Sequence, residues 1–307
     1  MKKKILITGG SGSLGRIFIE KYYNEFEFYN YSRNEKWQYE LKKDFSGVNN
    51  IIGSVEDKYT LNKAYNIVNP DIVIHGAAIK HVDIAEENPI ECCKVNILGS
   101  INVIEASIIN KVPITIGIST DKSCNPTGIY GQSKYLMERC FMDGNSNKVK
   151  FACCRFANIP FSNGSVIPFW LDLKNKNKPL KLTSSDMNRL ILSRKECVKL
   201  VRKSIEICEK ESGGFILSKK MKSVNMLDLA KYISDNIEII GLRPGEKLNE
   251  TLISDKELNN TFLIENDYIM IKKEKNNSNT KLKKELNSLN SEKMNNRDIK
   301  ELLEENE

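Results

Sequence analysis

The segment KILITGGSGSLG, residues 4–15, constrains the fold more than any other stretch of this chain. A compact apolar run from Lys4 to Thr8 ends in glycines and leads into a helical pattern from Leu14 to Tyr23. Gly9, Gly12 and Gly15 recur at every third position. At a strand-to-helix junction the first glycine permits a tight turn. The second lets the backbone approach a pyrophosphate, and the third lets the helix pack closely on the strand. The helix N-terminus then offers unpaired N–H groups and a positive dipole end to phosphate. The spacing predicts a dinucleotide-binding first unit, with Thr8, Gly9, Ser11, Gly12, Ser13, Leu14 and Gly15 as cofactor contacts.

Later runs have the same character. FEFYNYS, DIVIHGAA, PITIGIST and VKFACCRFAN read as strands, separated by helical stretches around residues 89–110 and at YGQSKYLMERCFM. Strands without polar alternation, spaced by helices, argue for a parallel sheet covered on both faces. The fold class is α/β, a Rossmann-type doubly wound parallel sheet with a smaller C-terminal substrate-binding lobe. The boundary falls where turn formers begin: residues 1–161 form the Rossmann domain, and the helix at 193–210 packs back on it. Residues 162–307 form the lobe, in which GLRPGEKLNETL is a turn leading into a short helix. The polar stretch after Lys272 reads as an extended, solvated arm, which NRDIKELLEE could close with a short helix.

Composition narrows the function. A length of 307 residues with 40% hydrophobic content suits one large domain or two lobes with a sizeable core. The net charge of +7 is spread over scattered lysines, with no basic stripe interleaved with aromatics, so nucleic acid is not the expected partner. Eight cysteines without a C-x-x-C pair, and only two histidines, argue against a metal site and for a reducing, cytoplasmic setting. No segment approaches 18 apolar residues, so no membrane insertion is expected.

Two local patterns carry the chemistry. The second strand ends in Tyr31-Ser32-Arg33. A carboxylate there would hold the ribose hydroxyls of NAD, whereas Ser32 and Arg33 suit a 2′-phosphate, so NADP is favoured over NAD. Glu35 reads as a surface charge. In STDKSCNPTGIYGQSK, residues 119–134, Tyr130 and Lys134 are one helical turn apart and share a face. A tyrosine serves as a base only if its pKa, about 10 when unperturbed, is lowered. The Lys134 ammonium and a positive nicotinamide ring would both do that.

With these residues in place the chain resembles the extended short-chain dehydrogenase/reductase family. AAIKHVDIAEENPIECCKVNILGS, STDKSCNPTGIYGQSK, NGSVIPF and GLRPGEKLNE together look like the NDP-N-acetylglucosamine 4,6-dehydratases of bacterial surface-sugar and nonulosonic acid synthesis. The resemblance implies a hydro-lyase, often a homo-oligomer, that works on a nucleotide sugar with a catalytic nicotinamide cofactor. Thr120 would assist Tyr130 at the sugar 4-hydroxyl. Lys122 would be the base at carbon 5, pushed towards neutrality by Lys134, the cofactor and burial. Asp121 would be the acid for the leaving hydroxyl. Ser54, Val55, Ala77 and Ala78 would lie along the cofactor, and Lys80 would reach cofactor and sugar. Asn158, Ser165, Val166, Arg189, Arg243 and Glu246 would meet the nucleotide sugar. The two arginines would clamp its diphosphate, since guanidinium offers paired donors to phosphate oxygens.

Several positions depart from the pattern. Ala157-Asn158-Ile159 stands for Gly-Asn-Val, Phe161-Ser162-Asn163 for Gly-Ser-Arg, and Gly53-Ser54-Val55 for Gly-Asp-Val. These lie towards the nucleotide and sugar, so they leave UDP against GDP open. A plain 4-epimerase or reductase would keep Tyr130 and Lys134 without needing Asp121-Lys122. A non-catalytic cofactor sensor would not need Tyr130 and Lys134 either.

Overall fold

Alternating strands and helices build the first half of the computed structural model, which describes residues 1–277 and 280–304. In order these are β1 (Lys4–Thr8), α1 (Ser13–Tyr22), β2 (Glu27–Ser32), α2 (Glu35–Asp44), β3 (Asn49–Ile52), α3 (Lys58–Val68) and β4 (Ile72–His75). Then come α4 (Val82–Glu87), α5 (Pro89–Cys93), a π-helical turn at Lys94–Leu98, α6 (Gly99–Ile109), β5 (Ile114–Thr120), α7 (Ile129–Gly144) and β6 (Lys150–Phe156). Their apolar runs are buried on both faces: Ile5, Leu6, Ile7, Val73, Ile116 and Phe151 are almost inaccessible. That burial is the physical reason the strands show no alternation.

The second half comprises α8 (Val166–Asn175), β7 (Leu180–Leu182), β8 (Asn188–Ile191), α9 (Arg194–Lys210), β9 (Phe215–Lys219), β10 (Lys222–Asn225) and α10 (Met226–Ile233). It ends with β11 (Ile237–Ile239), β12 (Thr251–Ile253), β13 (Thr261–Ile264), β14 (Tyr268–Lys272), β15 (Leu286–Asn287) and α11 (Asn296–Glu304).

The main sheet has the order β13-β14-β9-β6-β5-β4-β1-β2-β3. From β3 to β9 every pairing is parallel, and β14 and β13 add an antiparallel edge. The order reverses between β1 and β4, and a ligand crevice opens beyond the strand ends at such a switch point. Helix α9 starts with a Ser193–Glu196 capping box and packs against β5, β6, β9 and α1. The chain thus returns to the sheet layer twice after residue 162. A separate apolar cluster, including Trp170, Leu182, Leu229, Ile299 and Leu302, holds the lobe together.

Three expectations change. The segment after Lys272 is not an extended arm: β15 pairs with β12, and Ile299 and Leu302 of α11 are buried in the lobe's cluster. Apolar residues three apart on a short amphipathic helix were the available signal, outweighed by the polar composition around them. No helix follows the GLRPGEKLNETL turn directly; strand β12 does, and then a 3₁₀ turn at Asp255–Asn260. Finally, the helical stretch Pro89–Ile109 is long and apolar enough to span a bilayer by length and composition. It is a core helix here, with Val95, Val103 and Ala106 buried.

Candidate active site

The glycine loop is shaped by contacts that leave no room for a side chain. Gly9 has φ +73°, and a Cβ on it would lie 3.0 Å from the Ala77 backbone nitrogen. A Cβ on Gly15 would lie 2.4 Å from the Gly10 carbonyl oxygen, so this turn and helix α1 approach as closely as backbone permits. The Ser11 N–H donates to Asn30 Oδ1 at 3.1 Å, and the Ser11 and Ser32 hydroxyls are 3.0 Å apart. Helix α1 begins after Gly12 with no side-chain cap, which leaves its first N–H groups for an anion.

Beneath the loop runs a buried polar chain. The Ala77 N–H donates to Thr8 Oγ1, which lies 2.7 Å from His75 Nδ1, and His75 Nε2 lies 3.0 Å from Ser100 Oγ. The Ser100 hydroxyl itself donates to the Asn96 carbonyl at 2.6 Å, so it accepts from Nε2–H, and Thr8 donates to Nδ1. Burial holds the His75 pKa down at about 3, which keeps the ring neutral for this relay of hydrogen bonds.

One cleft of about 1330 Å³ runs from this loop into the lobe. Every cofactor- and substrate-contact candidate borders it: Thr8, Gly9, Ser11, Gly12, Ser13, Leu14, Gly15, Ser32, Arg33, Ser54, Val55, Ala77, Ala78, Lys80, Asn158, Ser165, Val166, Arg189, Arg243 and Glu246. Thr120, Lys122, Tyr130 and Lys134 border it too, but Asp121 does not. Loop and lobe meet across it: the Asn163 N–H donates to Ser13 Oγ at 2.9 Å, and Lys80 Nζ donates to the Asn163 carbonyl at 2.6 Å. Asn158 is tied to the Leu190 carbonyl by its side chain. Arg189 donates to the carbonyls of Asn188 and Leu248, while Arg243 pairs with Glu246 at 2.6 Å and Asp83 at 3.4 Å. Arg33 faces Glu56 at 3.5 Å. The hydroxyls of Ser54 and Ser165 are buried without a hydrogen-bond partner among the described residues. In a cleft wall, that marks groups available to a ligand.

At the end of β5 the chain makes a 3₁₀ turn, Asp121–Ser123, and then enters α7 with Tyr130 in its first turn. Asp121 is fully buried, and its Oδ1 accepts from the Thr120 hydroxyl at 3.0 Å and from Lys122 Nζ at 3.1 Å. Asp121 therefore stands behind Thr120 and Lys122, not in the cleft. Two further expectations are corrected here. Burial pushes the Tyr130 phenol up to about 12, against the pull of Lys122, which is the cation that bears on it. Lys134 instead donates to Met137 Sδ at 3.0 Å, and burial takes its ammonium down to about 8. For Lys122, burial works against the charged form, but the carboxylates of Asp121 and Glu250 more than offset it, so its pKa is raised and not lowered.

Residues to which the motifs assign no role complete the site. The π-helical turn swings Asn96 inward, where it accepts from the Ile79 N–H at 2.8 Å and donates to the Ile79 carbonyl at 2.9 Å and the Ser133 hydroxyl at 3.0 Å. It thereby ties the loop after β4 to the helix bearing Tyr130. Arg155 on β6 makes paired hydrogen bonds to Glu138 of α7, with both side chains fully buried, and to the half-buried Glu257. Ser123 donates to Glu138 as well, at 2.9 Å. A single Arg in a strand run carries no local signal of such a role.

A dinucleotide loop sharing one cleft with a Tyr-x-x-x-Lys helix, on this strand order, places the molecule among the extended short-chain dehydrogenases/reductases. Comparison with known proteins agrees and goes one step further: the chain belongs to the polysaccharide biosynthesis protein family, whose model matches residues 5–273. It is 39% identical over 279 residues to a UDP-N-acetylglucosamine 4,6-dehydratase (inverting) of Campylobacter jejuni, covering 87% of this chain and 82% of the relative. A UDP-glucose 4-epimerase of Rickettsia bellii is 34% identical over 274 residues, 83% of this chain and 79% of the relative. Among solved structures, Pen from Bacillus thuringiensis matches with a TM-score of 0.89 at 28% identity, over 99% of this chain and 97% of that one. The chain is thus an enzyme of the nucleotide-sugar dehydratase and epimerase type.

Proposed function

We propose that this enzyme is an NADP-dependent UDP-N-acetylglucosamine 4,6-dehydratase, a hydro-lyase forming a 4-keto-6-deoxy nucleotide sugar for surface-glycan synthesis. The observation that carries this reading is that Lys122, held by Asp121 at 3.1 Å, borders the same cleft as Tyr130. Oxidation at carbon 4 alone needs only the tyrosine and its cofactor. A second ionisable pair beside it suits a reaction that also breaks a carbon–oxygen bond.

The residues present fit a nicotinamide dinucleotide. The closely packed loop, the uncapped α1 terminus and the unpartnered Ser54 hydroxyl form a cradle for it. Ser32 and Arg33 at the end of β2 favour the 2′-phosphate of NADP over the bare ribose of NAD. When bound, the nicotinamide supplies a hydride acceptor at sugar carbon 4 and later a hydride donor at carbon 6.

The chain's own groups handle the protons. Tyr130 takes the proton of the 4-hydroxyl, and the resulting ketone acidifies the hydrogen at carbon 5. Lys122, neutral at that moment, removes it. The hydroxyl leaving carbon 6 receives a proton through the Thr120 hydroxyl, which borders the cleft and is refilled by Asp121 behind it. Asp121 enters this step protonated and leaves it as the carboxylate, and the proton that Lys122 took returns to carbon 5. Each such transfer contributes roughly 10²–10⁴-fold. Arg189, Arg243 and Lys80 supply cations for the diphosphate. Exposed apolar side chains on α4–α6, among them Ile84, Ile90 and Ile109, support self-association into a homo-oligomer.

The test is a panel of UDP- and GDP-hexosamines analysed by mass spectrometry. UDP-N-acetylglucosamine should give a product lighter by one water. Unchanged mass with a new 4-epimer would overturn the reading in favour of a 4-epimerase, the activity that the Rickettsia relative's name carries. Preference for the GDP sugar would correct the nucleotide. Proton NMR of the product in heavy water reads whether carbon 5 is inverted or retained.

A further inference from the structure

Glu250 is the last residue of GLRPGEKLNE, a position given no role above, and it reaches the same cleft. Its side chain is nearly inaccessible, its Oε1 lies 3.6 Å from Lys122 Nζ, and its Oε2 has no hydrogen-bond partner among the described residues. The backbone is held on both sides by the C-terminal segment. The Glu250 N–H donates to Ser288 Oγ at 3.1 Å, and the Ser288 N–H donates to the Glu250 carbonyl at 2.8 Å. Ser288, which directly follows strand β15, thus holds the Glu250 backbone in place beside Lys122. The other charged groups around the pair are Asp121 from the turn after β5, Arg189 from β8 and Lys247 from the preceding loop, 3.9 Å from Glu250. The Tyr130 phenol faces Lys122 from α7.

We propose that Glu250 is the proton partner of Lys122: it takes the ammonium proton so that Lys122 can act as a base in the cleft. The proposal rests on the reading of Lys122 as that base. The step balances by itself, since an O–H bond forms on Glu250 as an N–H bond of Lys122 breaks, and the pair's total charge stays zero. Burial raises the Glu250 pKa while the carboxylates hold the Lys122 ammonium, so the ion pair is the resting form and the acid–amine form is the one the reaction draws on. Asp121 lies nearer, accepting from Lys122 Nζ at 3.1 Å, but its Oδ1 is shared with the Thr120 hydroxyl and the reaction read above uses it as the acid, so the second carboxylate is the one left to take this proton.

This arrangement has a distinctive pH dependence. Ion pair and acid–amine pair hold the same number of protons, so proton sharing leaves the rate level around neutral pH. Without Glu250, Lys122 must release its proton to water, and the rate climbs about tenfold per pH unit until Lys122 has titrated. The experiment measures kcat and KM against pH for wild-type, Glu250→Gln and Ser288→Ala enzyme with UDP-N-acetylglucosamine. Competitive acetic anhydride labelling of Lys122 is followed over the same range. For Glu250→Gln we expect kcat at neutral pH to fall about 10²-fold with KM held, a rate rising with pH, and a lower Lys122 labelling midpoint. Ser288→Ala, which loosens the Glu250 backbone and keeps the carboxylate, should give a smaller loss with the same tilt. A loss equal at every pH in either variant, or an unmoved labelling midpoint, overturns the proposal. If the wild type dehydrates no nucleotide hexosamine, the assigned reaction fails. The labelling midpoint still decides the pairing, a shift supporting it and no shift overturning it.

Discussion

Tyr130 illustrates how far a residue's chemistry depends on what surrounds it. Its phenol is pushed up to about 12 by burial, with Lys122 as the opposing cation. A base at neutral pH therefore needs the further positive charge of an oxidised nicotinamide. We expect ultraviolet titration of tyrosinate to show a lower Tyr130 midpoint with NADP⁺ bound than without it, the difference being absent in Tyr130→Phe. An unchanged midpoint would remove Tyr130 as the base. Lys122→Ala should abolish dehydration, by at least about 10²-fold, with cofactor affinity intact by calorimetry. Equal loss of both would make Lys122 a structural residue. Arg33 permits a cleaner test. Its side chain is more than half exposed and pairs with Glu56 only at 3.5 Å, so Arg33→Ser should leave the fold unchanged. NADP affinity should drop roughly tenfold or more, the worth of a charge-assisted phosphate contact, with NAD affinity unaltered. Equal effects on both cofactors would deny Arg33 the 2′-phosphate.

Elements explain which parts of the site were legible in sequence. The glycine loop was, because each glycine answers a local steric demand that only a missing Cβ satisfies. Gly15→Ala would bring a methyl group to 2.4 Å from the Gly10 carbonyl, so loop and helix must separate. We expect about 1–3 kcal/mol of lost stability and at least a tenfold weaker cofactor affinity, measured by thermal melting and calorimetry. Unaltered affinity would show that the loop tolerates the shift. The Tyr130–Lys134 spacing was legible too, since one helical turn fixes a shared face. The π-helical turn that brings Asn96 to Ile79 and Ser133 was not. Its signal would have been a polar residue within an otherwise apolar helix, and its partners lie on elements far away in the chain.

At the scale of the whole molecule, the described segments after Lys272 close the lobe. The stretch after Lys272 looks solvated in composition, yet it supplies β15 and α11, and Ser288 braces Glu250. Leu302 is buried in the lobe's cluster, so Leu302→Ala should cost about 2–5 kcal/mol in urea unfolding. A cost within 0.5 kcal/mol or so would mean the tail is an appendage after all.

The sequence by itself determined the doubly wound sheet, the dinucleotide loop and the Tyr130 helix, because glycine sterics, apolar runs and helical spacing act over a few neighbouring residues. Tertiary structure alone decided which lysine faces Tyr130, why Asp121 is hidden behind Thr120, and that Glu250 stands against Lys122. Burial and charge proximity set those outcomes. Both are created only when segments far apart in the chain, such as the turn after β5, the loop before β12 and strand β15, are brought into contact.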